Sequence, residues 1–94
     1  MSTSYPTKNM SALFEAISTL KSKAELADFF RDLLTLKELE DFSVRWQIAK
    51  MLEKNIPYLE IAGTLGVSTT TVTRVAHWLN HGRDGYKTAL SRLK

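Results

Sequence analysis

The chain has 94 residues, no cysteine, 44% hydrophobic and 24% charged residues, and a formal net charge of +3. That length makes one domain, near the small end of what buries a core unaided, and the missing thiols exclude disulfides and thiolate metal sites. No stretch approaches the roughly 20 apolar residues that span a bilayer, and MSTSYPTKNM lacks the basic start and apolar run of a signal peptide, so a soluble, cytoplasmic chain with no membrane partner is expected.

Residues 1–9 are polar, contain Pro6 and read as a flexible arm. Leu13, Phe14, Ile17 and Leu20 recur at helical spacing and predict a first helix from about Ser11 to Leu20. Ser22, with Glu25 three residues on, forms a capping box for a second helix. Its apolar face is Leu26, Phe29, Phe30, Leu33 and Leu34. Thr35 and Glu38 repeat the box for a long third helix running to about Lys54, with Leu39, Phe42, Trp46, Ile48, Ala49 and Leu52 as a wide apolar surface. Asn55 suits a helix stop and Pro57 the start of the next.

The fourth helix then runs from Pro57 or Tyr58 to Leu65, and the fifth from Ser68, as N-cap, to about Asn80. His81-Gly82 and Asp84-Gly85 mark a loop, after which Tyr86, Ala89, Leu90 and Leu93 resume helical spacing. No strand alternation or repeat occurs, and the four glycines are expected in turns or between helices. The expected architecture is all-α, six helices in a single domain over residues 1–94. Residues 11–54 would be dimerisation helices, 57–80 a helix-turn-helix, and 86–93 a C-terminal helix.

The stretch YLEIAGTLGVSTTTVTRVAHWLN, residues 58–80, carries the most chemistry. Ala62 is small enough for a second helix to cross closely, and Gly66 suits a turn with positive φ. Leu65, Val67 and Val72 can lock the crossing from inside. Ser68-Thr69-Thr70-Thr71 then opens the second helix on its outer side, as a groove-reading helix presents its first turn to base edges and phosphates. Three successive threonines are poor helix formers, which favours use of their hydroxyls and methyls on DNA, by Thr69, Thr70 and Thr73 in particular. Ser68 also serves as a cap. Residues 1–41 carry five basic and seven acidic groups, −2, whereas residues 42–94 carry eight and three, +5. The positive half holds the helix-turn-helix, as phosphate neutralisation requires.

The Leu33-Leu34-Thr35 lead-in with Glu38, Arg45 in the long helix, Leu65-Gly66 at the turn and Thr71-Val72-Thr73-Arg74 resemble the Trp repressor superfamily. The tail HWLNHGRDGYKTAL resembles its YerC/YecD-like branch. The resemblance implies a Trp repressor-like intertwined homodimer on double-stranded DNA. A sequence-specific, DNA-binding transcriptional regulator, a repressor acting by occlusion, is the function it implies. Ser68, Thr69, Thr70, Thr71, Thr73 and Arg74 would face DNA.

Arg45 and Arg74 correspond to the two arginines that sandwich the indole in tryptophan-binding members, and Thr35 and Thr71 to further pocket residues. Where those members have glycine after the second arginine, this chain has Val75, whose branched side chain would take ring space. Where they have a small serine, it has Trp78, whose own indole is expected to fill the cavity. Thr35, Arg45, Arg74, Val75 and Trp78 therefore outline an effector pocket for which tryptophan is not the expected ligand. A smaller co-repressor stays open, and no cofactor is expected.

Blander readings stand beside these. Trp46 and Trp78 are most simply core residues, Arg45 a structural pairing partner and Arg74 a surface ion pair. Lys50, Lys54, Arg83, Lys87 and Arg92 are solvated charge. His77 and His81 have metal-ligand spacing but no acidic group in register, so no metal site is expected. Leu59 and Ala62 fall where the family's first helix contacts phosphate, and neither can pair with one. A helix-turn-helix protein–protein interaction module with little DNA affinity is therefore the alternative. No nucleophile–base pair, paired carboxylates or phosphate-cradling loop appears, so an enzyme is not expected.

Overall fold

The computed structural model describes residues 4–94, and among them every regular element is an α-helix. The order is α1 (Lys8–Ser18), α2 (Lys23–Leu33), α3 (Leu36–Glu53), α4 (Tyr58–Leu65), α5 (Thr69–His81) and α6 (Gly85–Arg92). The chain divides into two compact units, one ending at Leu39 and the other running from Glu40 to Lys94.

In the first unit, helix starts are set by short side chains. The Thr7 hydroxyl accepts from the Met10 N–H at 3.2 Å, so α1 begins at Lys8 rather than at Ser11. Residues 8 and 9 thus belong to a helix and not to an arm; residues 1–3 of the expected arm lie outside the described residues. The helix also stops at Ser18, two residues early, with the hydroxyls of Ser18 and Thr19 bonded back to the Glu15 and Ala16 carbonyls. Such local back-bonding competes with continuing the helix.

Ser22 accepts from the Glu25 N–H at 3.1 Å, and the Glu25 carboxylate accepts from the Lys21 N–H at 2.7 Å. Thr35 and Glu38 close the reciprocal box at 3.1 and 2.9 Å. No residue of α1 or α2 is buried. Phe14, Leu33 and Leu36 stay 44%, 46% and 64% exposed.

The second unit holds the core. Ile48 and Ala49 of α3, Ile61 and Ala62 of α4, and Val72 and Val75 of α5 form one buried cluster, with Leu52, Leu65, Val67 and Tyr86 packed around it. Ile48, Ile61 and Val72 are wholly buried, each contributing roughly 1.5–3 kcal/mol of burial. The Trp46 and Tyr86 rings stack at 6.3 Å and 21°, tying α6 to α3.

Two of this unit's three positive-φ residues bracket α4. Asn55 ends α3 at φ 61°, and Gly66 ends α4 at φ 67°. Asparagine and glycine are the residues that enter the left-handed region most readily. Gly63, expected in a turn, instead sits inside α4. The larger departure is Trp78. Expected in the core, it is 60% exposed, because Val72, Val75 and Ala76 occupy the inner face of α5.

Candidate nucleic-acid interface

The crossing of α4 and α5 is locked by side chains too small to hold the helices apart: Ala62 meets Val72 and Val75 within one cluster. Gly66 makes the tight reversal, and its neighbour Val67 donates its N–H to the Ala62 carbonyl at 3.0 Å. The turn is therefore fixed where it leaves α4. Its product is a helix whose start projects from the unit, with Ser68, Thr69 and Thr70 exposed.

The hydroxyls at that start are not equivalent. Ser68 Oγ accepts from the Thr71 N–H at 3.2 Å, the N-cap bond. Thr71 Oγ1 lies 3.2 Å from Ser68 Oγ, and Thr71 is half-buried. Thr73 donates its hydroxyl proton to the Thr69 carbonyl at 2.9 Å. Among the described residues, the Thr69 and Thr70 side chains have no hydrogen-bond partner. Arg74 is exposed one residue beyond Thr73.

A cavity of about 560 Å³ lies behind this helix, lined by Asp41, Val44, Arg45, Val67, Thr71, Arg74, Val75, Trp78 and Tyr86. That is within the ~300–1,000 Å³ of small-molecule sites. Two guanidiniums against one carboxylate leave it net positive. Arg45 also lies over the Phe42 ring, 5.6 Å from its centroid. Trp78 lines this cavity without filling it, contrary to expectation, since most of its ring is turned to solvent. Val75 is packed into the core and offers the cavity only its remaining surface.

Of the pocket residues expected from sequence, Arg45, Arg74, Val75 and Trp78 come together here, and Thr35 does not: it caps α3 through Glu38 in the other unit. Asp41 and Tyr86 went unpredicted. Asp41 stands one helical turn before Arg45, a spacing that places both on one face.

His77 and His81 stand with ring centroids 5.2 Å apart at the far end of α5. No group of three or more ligating side chains gathers around a common point among the described residues.

A family model described as Trp repressor protein matches residues 8–94. The chain belongs to the Trp repressor family. It is 39% identical over 87 residues to the uncharacterized protein YerC of Bacillus subtilis (strain 168), covering 93% of this chain and 84% of that one. It is 33% identical over 79 residues to the Trp operon repressor homolog of Actinobacillus succinogenes (strain ATCC 55618 / DSM 22257 / CCUG 43843 / 130Z), covering 80% and 78%. The crystal structure of a TrpR-like protein from Eubacterium eligens ATCC 27750 superposes with a TM-score of 0.86 at 43% identity, over 94% of this chain and 91% of that one. These relatives place the chain in the YerC-like branch of the Trp repressor superfamily. The family is one of transcriptional regulators, not enzymes. No helix among the described residues is long and apolar enough to cross a membrane.

Proposed function

We propose that this chain is a sequence-specific, DNA-binding transcriptional regulator that sets α5 into the major groove. The observation carrying the reading is the exposed, hydroxyl-rich start of α5 beyond a glycine-hinged turn. Thr69 and Thr70 keep unused hydrogen-bonding capacity there, on a helix whose other face is rigidly packed. Thr71, bonded to Ser68, orders the first turn, and Arg74 adds charge beside it. The +5 balance of residues 42–94 agrees with a polyanionic partner.

The working unit in this reading is a homodimer, since no residue of α1 or α2 is fully buried and Phe14, Leu33 and Leu36 stay 44%, 46% and 64% exposed. Two α5 helices related by a two-fold axis would read half-sites about 34 Å apart, so the operator is near-palindromic. Occlusion of promoter DNA then gives repression, in the cytoplasm. DNA binding in this scheme needs no tryptophan, because Val75, where the tryptophan-binding members have glycine, lines the cavity.

A second reading is favoured by one observation. Leu59 is 79% exposed and Tyr58 43% exposed on α4, an apolar surface suited to a protein partner rather than to phosphate.

Titrating the protein onto duplex DNA across a salt series separates the two. A regulator gives a log–log slope of about −0.9 per phosphate contact. Absence of duplex binding at low salt would leave the protein-interaction module standing.

A further inference from the structure

We infer that Thr73 is a specificity-determining residue that reads the 5-methyl group of a thymine through its own methyl, whereas Thr70 reads through its hydroxyl. The inference rests on the proposed placement of α5 in the major groove and assigns which atom does the reading.

A threonine hydroxyl has a single proton to give. At Thr73 that proton is given to the Thr69 carbonyl, 2.9 Å away and one turn earlier on the same helix. The bond takes the oxygen back along the helix, a placement the threonine rotamer favours. Thr73 is exposed nonetheless, so without breaking that bond it can offer a partner its γ-methyl or the lone pairs of an oxygen drawn back toward Thr69, but no proton. Redirecting the proton to a base would exchange one hydrogen bond for another, with no net gain.

Thr70 differs in one respect. It is also exposed, but its hydroxyl has no hydrogen-bond partner among the described residues and can donate and accept at once. Thr70 and Thr73 are three apart on α5 and so stand side by side on one face. They would meet neighbouring positions of one half-site. A hydroxyl that can do both accommodates several bases, whereas a methyl at van der Waals distance prefers thymine, whose C5-methyl projects into the major groove. Selectivity at the Thr73 position is therefore apolar, and it survives any change that keeps a γ-methyl.

The test begins with half-sites selected from a random duplex library, with each thymine then replaced in turn by uracil, which lacks only that methyl. The expected result is one thymine per half-site whose replacement weakens wild-type binding about fourfold, the loss of roughly one buried methyl-sized group. Thr73→Val keeps that fourfold step and Thr73→Ser abolishes it. At Thr70 the order reverses: Thr70→Ser keeps the base preference and Thr70→Val loses it. Circular dichroism melts confirm that all four variants are folded.

Retention of the step in Thr73→Ser with its loss in Thr73→Val would overturn the assignment in favour of the hydroxyl. Specific binding with no uracil-sensitive position would overturn it as well while leaving the regulator reading intact. Failure to select any duplex would remove both.

Discussion

The Ser68 hydroxyl accepts from the Thr71 N–H, and the two side-chain oxygens lie 3.2 Å apart. Ser68 faces solvent at the start of α5, whereas Thr71 lines the cavity behind it. One short contact thus joins the surface proposed to meet DNA to the side of α5 that lines this cavity. Ser68→Ala removes the cap and is expected to lower stability by about 1 kcal/mol. Thermal or urea unfolding measures that loss, and duplex affinity should fall with it as the first turn frays.

The turn is tested by two glycines of opposite character. Gly66 has φ 67°, and an alanine there meets the left-handed penalty of roughly 1–2 kcal/mol. Gly63 lies inside α4 with nothing within 4 Å of an added Cβ, so Gly63→Ala should stabilise by about 0.5–1 kcal/mol. Urea midpoints moving in opposite directions are the expected outcome. A loss in Gly63→Ala would point to an assembly contact at that face.

Pairing of two copies is tested by concentration. A homodimer whose N-terminal helices are buried only on association unfolds at a temperature that rises with protein concentration. Phe14, 44% exposed in the single chain, is a suitable probe: Phe14→Asp should shift sedimentation toward the monomer and flatten that concentration dependence. A wild-type melting temperature constant over a hundredfold range would count against the dimer.

Calorimetry with L-tryptophan addresses the cavity. No saturable heat is expected, and adding the amino acid should leave duplex affinity unchanged. Val75 explains this by shape, so Val75→Gly is the informative companion. If wall geometry alone excludes the indole, the variant gains a measurable heat. A strong signal in the wild-type protein would show that the exposed position of Trp78 leaves the ring enough room.

The features legible in the sequence were those decided by neighbours a few residues apart. Ser22 with Glu25 and Thr35 with Glu38 fix helix starts by bonds spanning three or four residues. Gly66 signals its turn because few other residues accept that φ. The start of α1 was misjudged because Thr7 caps it without an acidic partner three residues later, so the box pattern is absent.

Trp78 was misread for a different reason. Hydrophobicity says that an indole prefers burial, but three smaller neighbours on α5 already fill the inner face. The Thr73 bond to the Thr69 carbonyl was equally hidden, since composition reports a hydroxyl without its rotamer. Asp41 and Tyr86 reach the cavity from α3 and α6, and only the packing of those helices brings them there.

That no residue of α1 or α2 is fully buried has a genetic corollary. If a second copy supplies the missing cover, a subunit sound at its N-terminus but ruined in α5 would still recruit intact ones and spoil them. Such an allele would be dominant over the normal gene, whereas damage to Phe14 or Leu33, by preventing recruitment, would be recessive.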